Sequence, residues 1–149
     1  MLRCQALILA AGEGKRMKSN TAKVLCEVRQ QPMLHWAIQA LKEVNPSRIG
    51  IVIGFAGDKV SESARIASTK LDATIEPLFF EQTARLGTGH AVHAANKFLD
   101  FEGYTLIVLG DAPLLHPATV AAMLRTATSE NKDLVLLGFE PEDPPGYGR

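Results

Sequence analysis

Cysteine is nearly absent from this chain. Cys4 and Cys26 are the only two, with no CxxC and no paired histidine motif, which argues against a zinc site or a disulfide framework. Two isolated thiols fit a reducing compartment, so the expected localisation is cytoplasmic. Net charge is absent too: 16 Lys and Arg balance 16 Asp and Glu. Neither nucleic acid nor an anionic membrane is therefore expected as the main partner. The chain start carries one arginine and a six-residue apolar run, Ala6 to Ala11. That run is too short for a secretory core or a transmembrane helix. No repeat, low-complexity tract or internal linker breaks the 149 residues, and 46% apolar content is enough to fill one core. One domain over 1–149 is expected.

Two familiar glycine patterns are missing as well. A dinucleotide fingerprint needs a third glycine where Met17 stands, and an acid about 20 positions on. The second strand instead ends Ile51-Val52-Ile53-Gly54-Phe55. A P-loop needs glycine where Leu9 stands and Ser or Thr after Gly14-Lys15, where Arg16 follows. What is present is an apolar run cut by Gly12 and Gly14, then Lys15, Arg16, Lys18 and, at the loop's end, Lys23. Glycines let backbone N–H groups approach phosphate oxygens, and the cations neutralise them, so the 12–23 loop reads as a phosphate cradle. On these residues alone, an ordinary strand-to-helix turn with solvated lysines stays open.

The periodicity alternates strand and helix. Strands are expected at 6–11, 49–54, 73–80, 104–110 and 133–139, and helices at 32–44, 58–69, 88–99 and 117–128. Ile49–Ile53 and Leu106–Leu109 are nearly continuous apolar runs, as in central parallel strands covered on both faces. Pro32 and Pro117 suit first-turn positions. Short connections imply a three-layer α/β fold, Rossmann-like, with a mostly parallel doubly wound sheet. Ligands of such sheets bind beyond the carboxyl ends of strands. The 12–23 loop and Asp111 both lie at such ends, so they are expected to face one crevice.

Four blocks carry a resemblance. Leu9-Ala-Ala-Gly-x-Gly-x-Arg-Met17, closed by Lys23-Val-Leu25, resembles the signature of sugar-phosphate nucleotidylyltransferases. Gln82-Thr-Ala-Arg-Leu-Gly-Thr-Gly-His-Ala91 is similar to the base-reading segment of one branch, the uridyltransferase domain of the bacterial enzyme that makes UDP-N-acetylglucosamine. Leu109-Gly-Asp-Ala-Pro-Leu114 resembles the strand-end aspartate block that holds magnesium, and Asp143-Pro-Pro-Gly-Tyr-Gly-Arg149 the opening of the sugar pocket. The blocks stand in family order along the whole chain.

The resemblance implies a nucleotide-diphospho-sugar transferase fold. It implies Mg²⁺-dependent transfer of UMP from UTP to N-acetylglucosamine 1-phosphate, serving peptidoglycan and lipopolysaccharide precursor synthesis. It assigns nucleotide and sugar-nucleotide contacts to Leu9, Ala10, Ala11, Gly12, Gly14, Lys23, Gln82, Gly87, Thr88, Leu109, Gly110, Asp111 and Gly148. Arg16 and Lys23 are the expected catalytic cations, and Asp111 the metal ligand. Arg85 stands where the family commonly has a second amide, and Ala22 where it usually has proline. His90 and His93 are three apart on an expected helix, a spacing a metal could use, but packing or surface roles are favoured. His35 and His116 read as helix-start or surface residues.

The resemblance further implies that a family domain continues past the Gly146-Tyr147-Gly148 turn. The expectation is thus an N-terminal portion without an acetyltransferase domain, a poor catalyst alone, with self-association through newly exposed surface. Two other readings stand beside it: a different nucleotidyltransferase, such as a molybdopterin guanylyl- or cytidylyltransferase, and a non-catalytic nucleotide-binding module.

Overall fold

The computed structural model describes residues 3–14, 21–84 and 86–140. Its main sheet has four parallel strands: β1 (Cys4–Leu9), β4 (Ile49–Ile53), β5 (Leu78–Glu81) and β6 (Tyr104–Leu109), in the order β5-β4-β1-β6. The sheet grows outward from β1 in both directions, as expected of a doubly wound fold. A two-stranded antiparallel hairpin, β2 (Glu27–Val28) and β3 (Gln31–Pro32), follows a 3₁₀ turn at Lys23–Leu25. The helices are α1 (Met33–Gln39), α2 (Gly57–Leu71), α3 (Thr88–Ala94), α4 (Asn96–Leu99) and α5 (Pro117–Ser129).

Strand alternation sorts the core into two faces. Ala6, Ile8, Ile49, Ile51, Leu106 and Val108 share one face and pack with Leu34, Ile38 and Leu41, with Val60 and Ala64 of α2, and with Val120 of α5. Leu7 and Val52 share the other and pack with Ala91, Ala95 and Phe98. Gly50 makes that second layer fit, since a Cβ there would lie 3.0 Å from Leu7 Cδ1 and 3.1 Å from both Phe80 and Phe98 ring carbons. This layer stops short of β6, whose Ile107 and Leu109 remain about half exposed, at 52% and 48%.

One polar group is fully buried at the sheet's amino end. Gln5 donates through Nε2 to Phe98 O and to Thr105 Oγ1, both at 2.9 Å, and accepts from Arg48 Nη2 at 2.6 Å. The Arg48 guanidinium stacks over Phe98 and Phe101, 4.9 and 5.1 Å from their centroids. With both ends of its amide satisfied, Gln5 ties β1, β4's approach, β6 and α4 together without the cost of an orphaned polar group.

Several expected boundaries move, each for a local reason. The helix expected over 32–44 ends as α-helix at Gln39. Bonds such as Leu41 N to Ile38 O and Val44 N to Leu41 O continue it as tight turns, until left-handed Asn45 (φ 43°) and Pro46 stop it. The strand expected from 73 begins only at Leu78, because Asp72 Oδ1 accepts from Thr74 N at 2.8 Å and from Thr74 Oγ1 at 2.7 Å. That side-chain turn competes with the ladder. The 88–99 helix divides at Ala95 (φ −103°, ψ 24°), with Phe98 set against Phe80 at a 5.5 Å centroid distance.

The strand expected over 133–139 is a correction: these residues belong to no strand. Leu134–Leu137 face β6 and α5 across an apolar cavity of about 390 Å³. None of the described strands pairs with this segment, so its β-prone sequence has no ladder to join. His35 stands in the first turn of α1, as expected of a helix-start residue, but away from the surface: it is buried at 7% exposure and its Nε2 lies 2.9 Å from Ser63 Oγ of α2.

Burial, and secondarily the Lys70 ammonium, hold the His35 imidazole below its ordinary range. The unfolded chain therefore binds more protons than the folded one once pH drops below the usual histidine value of about 6.5. The stability His35 contributes is complete above that pH and is lost as pH falls toward the lowered folded value. The urea midpoint should decline between about pH 7 and about pH 5.5, before the carboxylates titrate, and His35→Gln should flatten that slope. An identical slope in the variant would assign the acid sensitivity elsewhere. Gly103 supplies a second test: at φ 147°, a Cβ would lie 2.3 Å from Arg3 O. Gly103→Ala should cost roughly 1–3 kcal/mol, read as a lowered denaturant midpoint.

Candidate functional site

The carboxyl ends of β1 and β6 are level, because the two strands stay in register through Leu9 and Leu109. Gly110 N then donates to Leu9 O at 2.9 Å, and Ala10 N to Val52 O at 2.8 Å. Between β1 and β6 the strand order reverses, the place where open α/β sheets form a crevice. A cleft of about 380 Å³ opens there. Leu9, Ala11 and Gly12 line it from the end of β1, Leu109 and Asp111 from the end of β6, and Lys23 and Val24 from the 3₁₀ turn. Gln82, Gly87, Thr88 and Ala91 close it from the segment after β5.

The glycines serve distinct ends. Gly14 has φ 66°, and a Cβ there would stand 2.8 Å from Lys23 Cβ, so the loop passes against Lys23 only with glycine. Gly12 faces open space, leaving its backbone accessible to a ligand, and Gly87 sits at φ 96° before α3. Gly14, Lys23 and Asp111 thus stand at the same end of the sheet, as the expected crevice requires.

Charge in the cleft is paired. Lys23 Nζ lies 2.5 Å from Asp111 Oδ2, with side chains 41% and 31% exposed. An ion pair this open to water is weakly held, so either partner can be exchanged for a ligand. On the far wall, Gln82 N donates to Ile53 O at 2.8 Å, which fixes its backbone to the end of β4. Its Nε2 lies 3.1 Å from Gly87 O and 3.3 Å from His90 Nδ1. His93, on the same helix, is exposed. Among the described residues no group of three His, Cys, Asp or Glu side chains could hold a metal ion. A lone Asp111 fits magnesium arriving with phosphates, since such ions usually take only one or two protein carboxylates.

Of the expected site residues, Leu9, Ala11, Gly12, Lys23, Gln82, Gly87, Thr88, Leu109 and Asp111 line this cleft. Ala10 and Gly110 lie beneath it: a Cβ on Gly110 would meet Leu9 O at 3.0 Å and Val24 Cγ1 at 3.2 Å. Gly14 acts through Lys23. Arg16, Arg85 and Gly148 lie outside the described residues. Val24 and Ala91 line the cleft without having been singled out. Ala91 stands three residues after Thr88, a helical spacing that could have marked it.

Comparison with known proteins agrees with this fold. The bifunctional protein GlmU of Corynebacterium aurimucosum is 37% identical over 98% of this chain, and the match covers 30% of that protein. GlmU of Allorhizobium ampelinum is 41% identical over 98% of this chain and 31% of its own length. The chain thus spans about 30% of the length of these relatives. A UDP-glucose pyrophosphorylase solved with UDP-glucose superposes with a TM-score of 0.69 at 18% identity, over 88% of this chain and 55% of that one. A nucleotidyl transferase from Methanothermobacter thermautotroptrophicus gives 0.63 at 16% identity, over 83% and 57%. At such identities the superpositions speak for the fold. The family model of the MobA-like NTP transferase domain matches residues 6–147, and this chain belongs to that family.

Proposed function

We propose that the cleft binds UTP with Mg²⁺ and serves transfer of UMP to N-acetylglucosamine 1-phosphate, giving UDP-N-acetylglucosamine and pyrophosphate. The observation that carries this reading is the meeting, in one cleft at the strand ends, of a cation–carboxylate pair with an amide that can read a base. Relatives named GlmU, aligned over nearly the whole chain, support the uridyl branch over a molybdopterin nucleotidyltransferase.

In this reading an oxygen of the sugar phosphate attacks the α-phosphorus in line. The new P–O bond forms as the bond to the β-phosphate oxygen breaks, and pyrophosphate leaves with that electron pair. No covalent enzyme intermediate is needed, so positioning and charge neutralisation do most of the work. Backbone at Gly12 and the Arg16 fork hold the phosphates, and Lys23 exchanges Asp111 for a phosphoryl oxygen. Asp111, so released, would be the residue to hold Mg²⁺, and the ion would supply neutralisation of phosphate charge. Gln82, Gly87 and Thr88 face the uracil, and Gly148 contributes a backbone contact to the sugar.

The wider reading is a cytoplasmic enzyme supplying cell-envelope precursors. No described helix is long and apolar enough to cross a membrane. Exposed Leu134, Leu136, Ile107 and Leu109 give copies of this chain an apolar surface for self-association.

Two measurements test the nucleotide reading. Gln82→Ala should weaken UTP more than ATP in calorimetry with Mg²⁺, because an unpaired polar group costs roughly 1–3 kcal/mol. Equal affinity for all four triphosphates would overturn the uridine assignment. Lys23→Ala should leave the thermal midpoint nearly unchanged yet cost about 1.5–3 kcal/mol of triphosphate affinity or turnover, the worth of a charge-assisted contact. Unaltered binding and turnover would reduce Lys23 to a solvated cation.

A further inference from the structure

We propose that Gly54, just past the carboxyl end of β4, is a positioning residue: its missing side chain lets the Ala11 carbonyl lie against it and so sets the direction of the Gly12 N–H. The proposal rests on the cleft as a triphosphate site.

Gly54 supplies room rather than conformation. The glycines in the left-handed region, among the described residues, are Gly14, Gly87 and Gly103, and Gly54 is not one of them. A Cβ built on Gly54 would stand 3.0 Å from Ala11 O, 3.1 Å from Ala11 Cβ and 3.4 Å from Ala11 Cα. All three neighbours belong to one residue, 43 positions earlier in the chain. The end of β4 and the start of the glycine loop therefore touch backbone to backbone.

Of the two sides, the end of β4 is the fixed one. Three successive carbonyls there are engaged: Val52 O accepts from Ala10 N at 2.8 Å, Ile53 O from Gln82 N at 2.8 Å, and Gly54 O from Gly57 N at 3.1 Å. Ala11 lies beyond the rung at Ala10. Its side chain is buried in the layer formed with Leu7, Val52 and Ala91. Its carbonyl leads instead to Gly12, around whose Cβ position no atom lies within 4 Å. A side chain on Gly54 must then turn the Ala11–Gly12 peptide, the part with space to move. In a trans peptide the C=O and the following N–H point in opposite directions. With Ala11 O against Gly54, the Gly12 N–H points away from β4. Turning the carbonyl turns that donor by the same angle, and hydrogen bonds weaken steeply as they bend. Gly54 thus acts on phosphate through the Ala11–Gly12 peptide.

The test measures dissociation constants for UTP and for inorganic tripolyphosphate, with Mg²⁺, in the unaltered chain, Gly54→Ala and Gly57→Ala. Gly57→Ala is a control in the same turn, whose Cβ would meet only the side chain of Ile53, at 3.2 Å from Cδ1. Gly54→Ala should weaken both ligands by about three- to tenfold, part of the worth of one charge-assisted hydrogen bond. Its thermal midpoint should stay nearly unchanged, because alanine restricts the unfolded chain and offsets the local strain. Without ligand, the Gly12 cross-peak in a ¹H–¹⁵N correlation spectrum should shift in Gly54→Ala and hold its place in Gly57→Ala. An unmoved Gly12 cross-peak in Gly54→Ala overturns the proposal. So does an equal loss of affinity in Gly57→Ala, since any strain in the turn would then suffice. A Gly54→Ala chain that does not fold overturns it as well, because the sheet and not the loop would have given way. If the unaltered chain binds neither UTP nor tripolyphosphate, the triphosphate reading falls and this proposal with it. If it binds both and Gly54→Ala binds them as tightly, that reading stands and the role of Gly54 falls alone.

Discussion

The hydrogen bond from Gly110 N to Leu9 O is the constraint on which the cleft depends. It is the last rung of a ladder in which β1 and β6 run parallel from Cys4 and Tyr104 to Leu9 and Leu109. Because the rungs end together, the glycine loop after β1 and the aspartate after β6 leave the sheet at the same height. A slip of one residue would turn Asp111 to the other face and separate it from Lys23. The chemistry is thus fixed by backbone pairing before any side chain takes part.

That pairing needs both faces of β1 buried and its polar content satisfied. One face is filled by branched and small side chains against α1 and α2. The other is thinner and depends on Gly50 to admit Leu7, Phe80 and Phe98 to one plane. Gln5, deep between them, gives up no hydrogen bond because Phe98 O, Thr105 and Arg48 complete its amide. A buried amide with a unique set of partners favours one register over its neighbours, where an apolar residue would tolerate several.

Much of the fold could be read from the chain because the apolar runs at Ile49–Ile53 and Leu106–Leu109 are long, and Pro117 marks the start of its helix. Positions set by tertiary contact could not. His35 looks like a polar helix-start residue, and only the packing of α1 on α2 buries it. Residues 133–139 have the composition of a strand, but a strand exists only beside another. In the site, Lys23 was legible as the cation closing the 12–23 loop and Asp111 as the acid at a strand end; that they pair depends on atoms 88 positions apart in sequence. The bond between Gln82 and His90 left no mark in the sequence, since it depends on the rotation of one amide.

Strand order also has a consequence in time. β1 is made first, yet the partner that completes the cleft is β6, whose Tyr104 pairs with Cys4. Parallel strands this far apart must close a long loop before any contact rewards them, and such closures are slow. The glycine loop therefore emerges early in synthesis and waits, without a facing carboxylate, until the chain has grown past Asp111. A ligand of this cleft therefore cannot stabilise the chain before β6 and Asp111 have been added.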